Sequence, residues 1–154
     1  MNTTVILALG SNLGDRNAML NNAIFELSQS GFLVTKTSSI IETEPWGFTK
    51  QPRFLNMCNA VETNLSPPEI LKTVKNIEKK IGRQAREHWG PREIDIDIIF
   101  IDNQIIETES LKVPHPFMQD RLFVLAPLAE IAPDMEHPVL KKTALELIKQ
   151  LNKL

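Results

Sequence analysis

The chain opens on a continuous apolar run, Thr4 to Leu9, closed by Gly10, which is the pattern of a strand buried on both faces. Asp15 then stands where a helix cap belongs. Leu20, Ala23, Ile24 and Leu27 recur at helical spacing behind it, and Gly31 follows the last turn. Phe32 to Ile41 is rich in β-branched residues and predicts a second strand. Two prolines and a glycine between Thr43 and Arg53 predict a long loop, and Phe54 to Glu62 a third strand. Ser66-Pro67-Pro68-Glu69 carries a capping serine, a proline at the first helical position and a glutamate at the third. The helix it opens presents Ile70, Val74, Ile77 and Ile81 on one face, with Gly82 as its expected stop. A second loop, Arg83 to Arg92, leads to a strand over Asp95 to Ile101. Ile105-Ile106 and Leu111-Lys112-Val113 suit a small hairpin, and Thr143-Ala144-Leu145-Glu146 caps a last helix.

Strand, helix, strand, strand, helix, strand is the order of the split βαβ unit. The expected fold is therefore α+β: a ferredoxin-like βαββαβ sandwich with its helices on one sheet face and an added C-terminal hairpin and helix. The other face is then free for a site. Without repeats, low-complexity tracts or a linker, one domain over 1–154 is expected.

Alternation along the fourth strand supplies the sharpest chemical feature. Asp95 and Asp97 share one side, while Ile94, Ile96, Ile98 and Phe100 are expected on the helix-covered side. Two carboxylates roughly 7 Å apart on one strand face repel unless a cation lies near. Such oxygen ligands suit Mg²⁺, which takes one or two carboxylates plus substrate phosphates; ordinary exposed acids are the alternative. Just upstream, Lys79, Lys80, Arg83, Arg86 and Arg92 stand against Glu87 alone, a local net charge of +4 over residues 79–92. The two lysines complement a helix C-terminus. The three arginines, flanking Trp89-Gly90-Pro91, provide planar donors for phosphate oxygens. On the third strand, Phe54 and Asn56 share a side opposite Leu55, Met57 and Val61. If the latter three meet the helices, a ring and an amide suited to a flat heterocycle face the same way as the aspartates. Trp46 and Trp89 fall in the two expected loops, where an indole suits a lid. His115, between two prolines, and Arg121, two residues before Phe123, are further candidate phosphate donors, and Cys58 reads as small packing.

Composition narrows the classes. With 17 basic and 19 acidic residues among 154 the net charge is −2, unlike a dedicated nucleic-acid binder. Only 6% of residues are aromatic and none is tyrosine, which disfavours an RNA-binding module on the same element order. A non-catalytic nucleotide sensor would not need the paired aspartates. One cysteine allows no intramolecular disulfide and fits a reducing, cytoplasmic setting. The first residues lack a basic n-region, so a signal peptide is not expected, and no apolar stretch approaches membrane length. Neither the P-loop nor the dinucleotide fingerprint occurs, so a nucleotide would be held through arginines and metal.

These features in this order resemble the 6-hydroxymethyl-7,8-dihydropterin pyrophosphokinases of folate biosynthesis. The resemblance runs from Leu9-Gly10-Ser11-Asn12-Leu13-Gly14 through Thr43-Glu44-Pro45-Trp46-Gly47, Phe54-Leu55-Asn56, Trp89-Gly90-Pro91-Arg92, Asp95-Ile96-Asp97 and Val113-Pro114-His115 to Leu128-Ala129-Glu130-Ile131-Ala132-Pro133. It implies transfer of the terminal pyrophosphate of ATP to a pterin hydroxymethyl group, with release of AMP. It implies Asp95 and Asp97 as ligands of two Mg²⁺ ions, with Asp97 also taking up the hydroxyl proton. Phe54 and Phe123 would sandwich the pterin, with Asn56, Thr43 and Trp46 reading its edge. Glu78, Trp89, Arg92, His115 and Arg121 would contact ATP, and Arg83 with Arg86 would form a phosphate-handling loop. Catalytic roles would fall to Arg83, Arg92 and Asp97. The family's basic residue before Trp89 is His88 here, and either Gln84 or Arg86 takes the second loop-arginine position. The expected partners are ATP and the pterin alone, bound by a monomer, with no nucleic acid and no membrane.

Overall fold

The structure, a computed structural model, describes residues 3–43, 53–89 and 94–152, without the side chains of 83–89. Its strands are β1 (Thr3–Ser11), β2 (Phe32–Thr37), β3 (Ile41–Thr43), β4 (Phe54–Thr63), β5 (Asp95–Ile101), β6 (Ile106–Glu107) and β7 (Lys112–Val113). Its helices are α1 (Arg16–Gln29), α2 (Pro67–Trp89), α3 (Leu122–Ile131) and α4 (Ala144–Leu151). The main sheet runs β2-β4-β1-β5, antiparallel throughout, with β3 also on β4. That is the ferredoxin-like order, and β6 and β7 form the expected small hairpin.

The signals behind α1, α2 and α4 act locally as expected. The Asp15 carboxylate accepts from Ala18 N at 3.1 Å. Glu69 N donates to Ser66 Oγ at 3.3 Å while Ser66 N donates to Glu69 Oε1 at 2.9 Å, a complete capping box. Thr143 and Glu146 form the same box at α4. Alternation then sorts the sheet. Val5, Leu7, Leu9, Leu55, Met57, Val61, Ile94, Ile96 and Ile98 meet α1 and α2 in one core.

Four expectations need correction. The helix does not stop at Gly82 but continues to Trp89, so 83–89 is not loop and Trp89 ends a helix. Glycine costs only about 1 kcal/mol in a helix interior, and Gln84, Ala85, Arg86 and Glu87 are good helix formers. Phe32 to Ile41 is two strands, because the Ser38 hydroxyl accepts from Cys58 N at 2.9 Å and takes over a ladder position. Phe100 lies on the opposite side from Ile98. The β1–β5 register passes from Ile6↔Phe100 to Leu7↔Ile98, and this bulge at Ile99 reverses the alternation.

Finally, the tail supplies α3 as well as α4, and both cover part of the face expected to be free. Ile6, Cys58, Ala60, Ile99 and Phe100 pack there against Met118, Val124, Leu125, Leu128 and Leu147. Helix α3 is apolar almost all round and contains Pro127, which hid it from periodicity. Within this second core Cys58 is fully buried, and burial pushes its thiol up to about 12, so it is packing and not a nucleophile. Among the described residues no helix is long and apolar enough to cross a membrane.

Candidate active site

The part of the second face that α3 and α4 leave open is a cavity of about 200 Å³. Its lining brings together Thr43, Phe54, Asn56, Asp95, Asp97, Arg121 and Phe123, which arise from four separate stretches of chain. Sheet register explains the meeting. Gly10 of β1 pairs with Asn56 on one side and Asp95 on the other, and Ala8 pairs with Cys58 and Asp97. With neighbouring strands about 4.8 Å apart, the amide and the carboxylates flank a floor of two small residues. A Cβ on Gly10 would lie 2.9 Å from Asn56 Oδ1, so only glycine leaves that amide where it is. Sequence reading missed Ala8 and Gly10 as site residues. The signal was present: two small residues at i and i+2 inside an apolar run share one face.

Asn56 is 6% exposed, and its Nδ2 donates to Thr43 Oγ1 at 2.7 Å. The pairing of β3 on β4, Thr43 opposite Phe54, places that hydroxyl. The amide is thus oriented by its own fold, with Oδ1 on the Gly10 side. Across the cavity Arg121 caps α3, its guanidinium carbon 5.6 Å from the Phe117 ring centre and 5.8 Å from that of Phe123. Both distances suit cation–π contact, so the cation is held between two rings. Val124, buried beneath, anchors the first turn of α3 in the second core.

His115 stands beside the cavity. The bulge frees the Ile99 carbonyl, which accepts from His115 N at 3.1 Å and ties this segment to β5. The Val113–Pro114 peptide is cis. His115 Nδ1 accepts from Phe117 N at 3.2 Å, which leaves the proton of the neutral ring on Nε2. Burial holds the imidazole below its ordinary pKa; Asp97 opposes that shift and Arg121 adds to it. The ring is therefore a neutral donor near neutral pH.

Glu78 is elsewhere. It belongs to α2, which packs on the other side of the sheet, and its Oε2 accepts from the backbone of Ile96 at 2.7 Å. Trp46 and Arg92 lie outside the described residues, as do the side chains of Arg83, Gln84, Arg86 and Trp89.

A ring–amide wall and a carboxylate pair thus share one small cavity. Comparison with known proteins shows the family of the chain. The model of the family described as 7,8-dihydro-6-hydroxymethylpterin-pyrophosphokinase matches residues 6–133. The chain belongs to that family. A relative from Bacillus subtilis, 2-amino-4-hydroxy-6-hydroxymethyldihydropteridine pyrophosphokinase, is 49% identical over 137 residues, 88% of this chain and 82% of its own. The enzyme of the same name from Aquifex aeolicus is 46% identical over 140 residues, 90% of this chain and 86% of its own. Among solved structures, a triple mutant of Plasmodium falciparum HPPK-DHPS with STZ-DHP superposes with a TM-score of 0.77 at 17% identity. It is matched over 99% of this chain, which spans 43% of that longer one, and the likeness concerns the fold alone. Family membership makes the protein a pyrophosphokinase, an enzyme that transfers a diphosphate group.

Proposed function

We infer that the protein transfers pyrophosphate from ATP to the hydroxymethyl group of 6-hydroxymethyl-7,8-dihydropterin in folate biosynthesis, and that the cavity between β4, β5 and α3 is where it does so. The observation that carries the placement is the β1 register, which sets Asn56 and the aspartates on either side of Ala8 and Gly10. A flat heterocycle between Phe54 and Phe123, its edge read by Asn56 and Thr43, has its substituent pointing toward the carboxylates.

Asp95 and Asp97 are the residues that would hold Mg²⁺. The donor set fits: two carboxylates on one strand face line the same cavity. An ion held there would take its remaining ligands from water and substrate phosphates. When bound, it supplies charge neutralisation for the triphosphate.

The chain's own residues do the rest. The pterin hydroxyl oxygen attacks the β-phosphorus, a C–O–P bond forms, and the bond from that phosphorus to the α-bridging oxygen breaks, with AMP keeping the electron pair. Asp97 accepts the hydroxyl proton. His115 Nε2–H and the Arg121 guanidinium donate to phosphate oxygens as charge develops on them. Arg83, Arg86, Arg92, Trp46 and Trp89 belong to the same reading on sequence resemblance. Most of the acceleration comes from holding two substrates in line. The lone thiol suits a reducing cytoplasm, and a monomer of 17.4 kDa is the expected state, which sedimentation would test.

The deciding assay measures AMP release from ATP with 6-hydroxymethyl-7,8-dihydropterin and Mg²⁺. Pterin-dependent AMP is expected; none from folded protein refutes the activity.

A further inference from the structure

Arg16 begins α1, at the end of a helix where the dipole disfavours a cation. Its guanidinium serves a tertiary contact instead. Nη1 donates to Glu42 Oε2 at 2.9 Å and to the Arg53 carbonyl at 2.7 Å. The other Glu42 oxygen, Oε1, lies 3.6 Å from Arg53 Nη1. One cation thus joins the start of α1 to β3 and to the residue that leads into β4. Strand β3 needs such a tie. It is three residues long and meets the sheet, among the described strands, only through β4. Its rungs are Ile41↔Asn56, Glu42↔Leu55 and Thr43↔Phe54, so Glu42 sits between the rungs that carry Asn56 and Phe54. Successive side chains on a strand point to opposite faces. Thr43 lines the cavity, and Glu42 therefore projects to the α1 side, where Arg16 meets it. The position of β3 matters to the site because Thr43 Oγ1, 2.7 Å from Asn56 Nδ2, orients the amide.

We propose that Arg16 is a positioning residue for pterin recognition. By holding Glu42 and the Arg53 carbonyl together it fixes β3 on β4, and with it the Thr43 hydroxyl that aims the Asn56 amide. This rests on the reading of Asn56 and Thr43 as pterin contacts. At side-chain exposures of 29% and 42% the Arg16–Glu42 pair adds little to stability, as is general for exposed ion pairs. Taking a cation away from the wrong end of the helix dipole offsets part of even that. Removal of Arg16 should therefore be felt in recognition and hardly in folding. One hydrogen bond misaimed at a buried polar edge corresponds to about three- to tenfold in affinity.

Single and double variants, two ligands and a melting curve test it. Arg16→Ala should weaken binding of 6-hydroxymethyl-7,8-dihydropterin, measured with Mg²⁺ and a non-hydrolysable ATP analogue present, by about three- to tenfold. Affinity for the analogue alone should stay within twofold, and the melting temperature within about 4 °C. Glu42→Ala should also weaken pterin binding, and Arg16→Ala/Glu42→Ala should be no weaker than Arg16→Ala, because both changes cut one link. Glu42→Gln, whose side-chain oxygen still accepts from Arg16, should keep pterin affinity within twofold of the parent. If Arg16→Ala does not fold, Glu42→Ala carries the same comparison. A pterin loss smaller than threefold in Arg16→Ala, or additive losses in the double variant, would overturn the proposal. So would equal weakening of pterin and analogue with a lower melting temperature, which would make Arg16 a brace of the fold alone. Failure of the underlying reading looks different: Asn56→Ala would leave pterin affinity unchanged, whatever Arg16→Ala does.

Discussion

Replacing Gly10 by alanine separates recognition from folding. The new Cβ would lie 2.9 Å from Asn56 Oδ1 and 3.8 Å from both Leu55 O and Phe54 Cδ1. The two longer contacts are ordinary, so the amide must yield. A retreat of a few tenths of an ångström, by rotation about its terminal torsion, also swings Nδ2 away from Thr43 Oγ1, now at 2.7 Å. Losing that bond costs about 0.5–1.5 kcal/mol of folding stability. Alanine in place of glycine in a strand interior returns about 0.5–1 kcal/mol through the unfolded chain. The two nearly cancel, and at about 2–4 °C per kcal/mol for a chain of this size the melting temperature should move by only a few degrees. Binding has no such offset. An amide turned from its partner leaves buried polar groups of the pterin unpaired, at about 1–3 kcal/mol. That is roughly 5- to 150-fold weaker pterin binding at 1.4 kcal/mol per decade. Titration calorimetry with the pterin in the presence of a non-hydrolysable ATP analogue gives the number, and calorimetric melting gives the control. Pterin affinity within twofold of the parent, with analogue binding also unchanged, would refute the role given to the Asn56 amide.

Asp97→Ala should lower AMP formation by about 10²-fold or more, since it removes both charge and proton acceptor, while pterin binding persists; near-normal turnover would contradict the metal assignment. Phe100, 1% exposed in the second core, should cost about 3–5 kcal/mol as Phe100→Ala in urea unfolding, and a loss below 1 kcal/mol would deny its packing under α3. His137 Nδ1 accepts from Val139 N at 3.1 Å and Leu140 N at 3.0 Å, and burial lowers its pKa. The unfolded chain therefore binds the proton more readily, so the contribution of this ring is complete above about pH 6.5 and is lost as pH falls through the folded value. The stability gap between the parent and His137→Gln should narrow between pH 7.5 and 5.5, and a constant gap would rule out the linkage.

Much of the frame was legible because its signals are local. Caps at Asp15, Ser66 and Thr143 act within one helical turn, and alternation along β4 and β5 needs no knowledge of neighbours. These placed Phe54 with Asn56, and Asp95 with Asp97. What failed was non-local. Gly82 looked like a stop because propensity is weak beside the helix formers that follow. Helix α3 has no polar face to mark it, since the sheet and α4 enclose it. Phe100 turned over because one extra residue at Ile99 shifts the phase of everything beyond it.

The sequence by itself determined the order of elements, the absence of a P-loop and the two side-chain pairs the site requires. A β-strand alternates with period two whatever surrounds it, so residues two apart must share a face. Only the tertiary structure decided which strands lie side by side, and hence that Gly10 and Ala8 stand between amide and carboxylates. It also decided that Glu78, 18 positions before Ile96, closes the open edge of their strand. Register and edge contacts are made between segments remote in the chain, and no period within a segment encodes them.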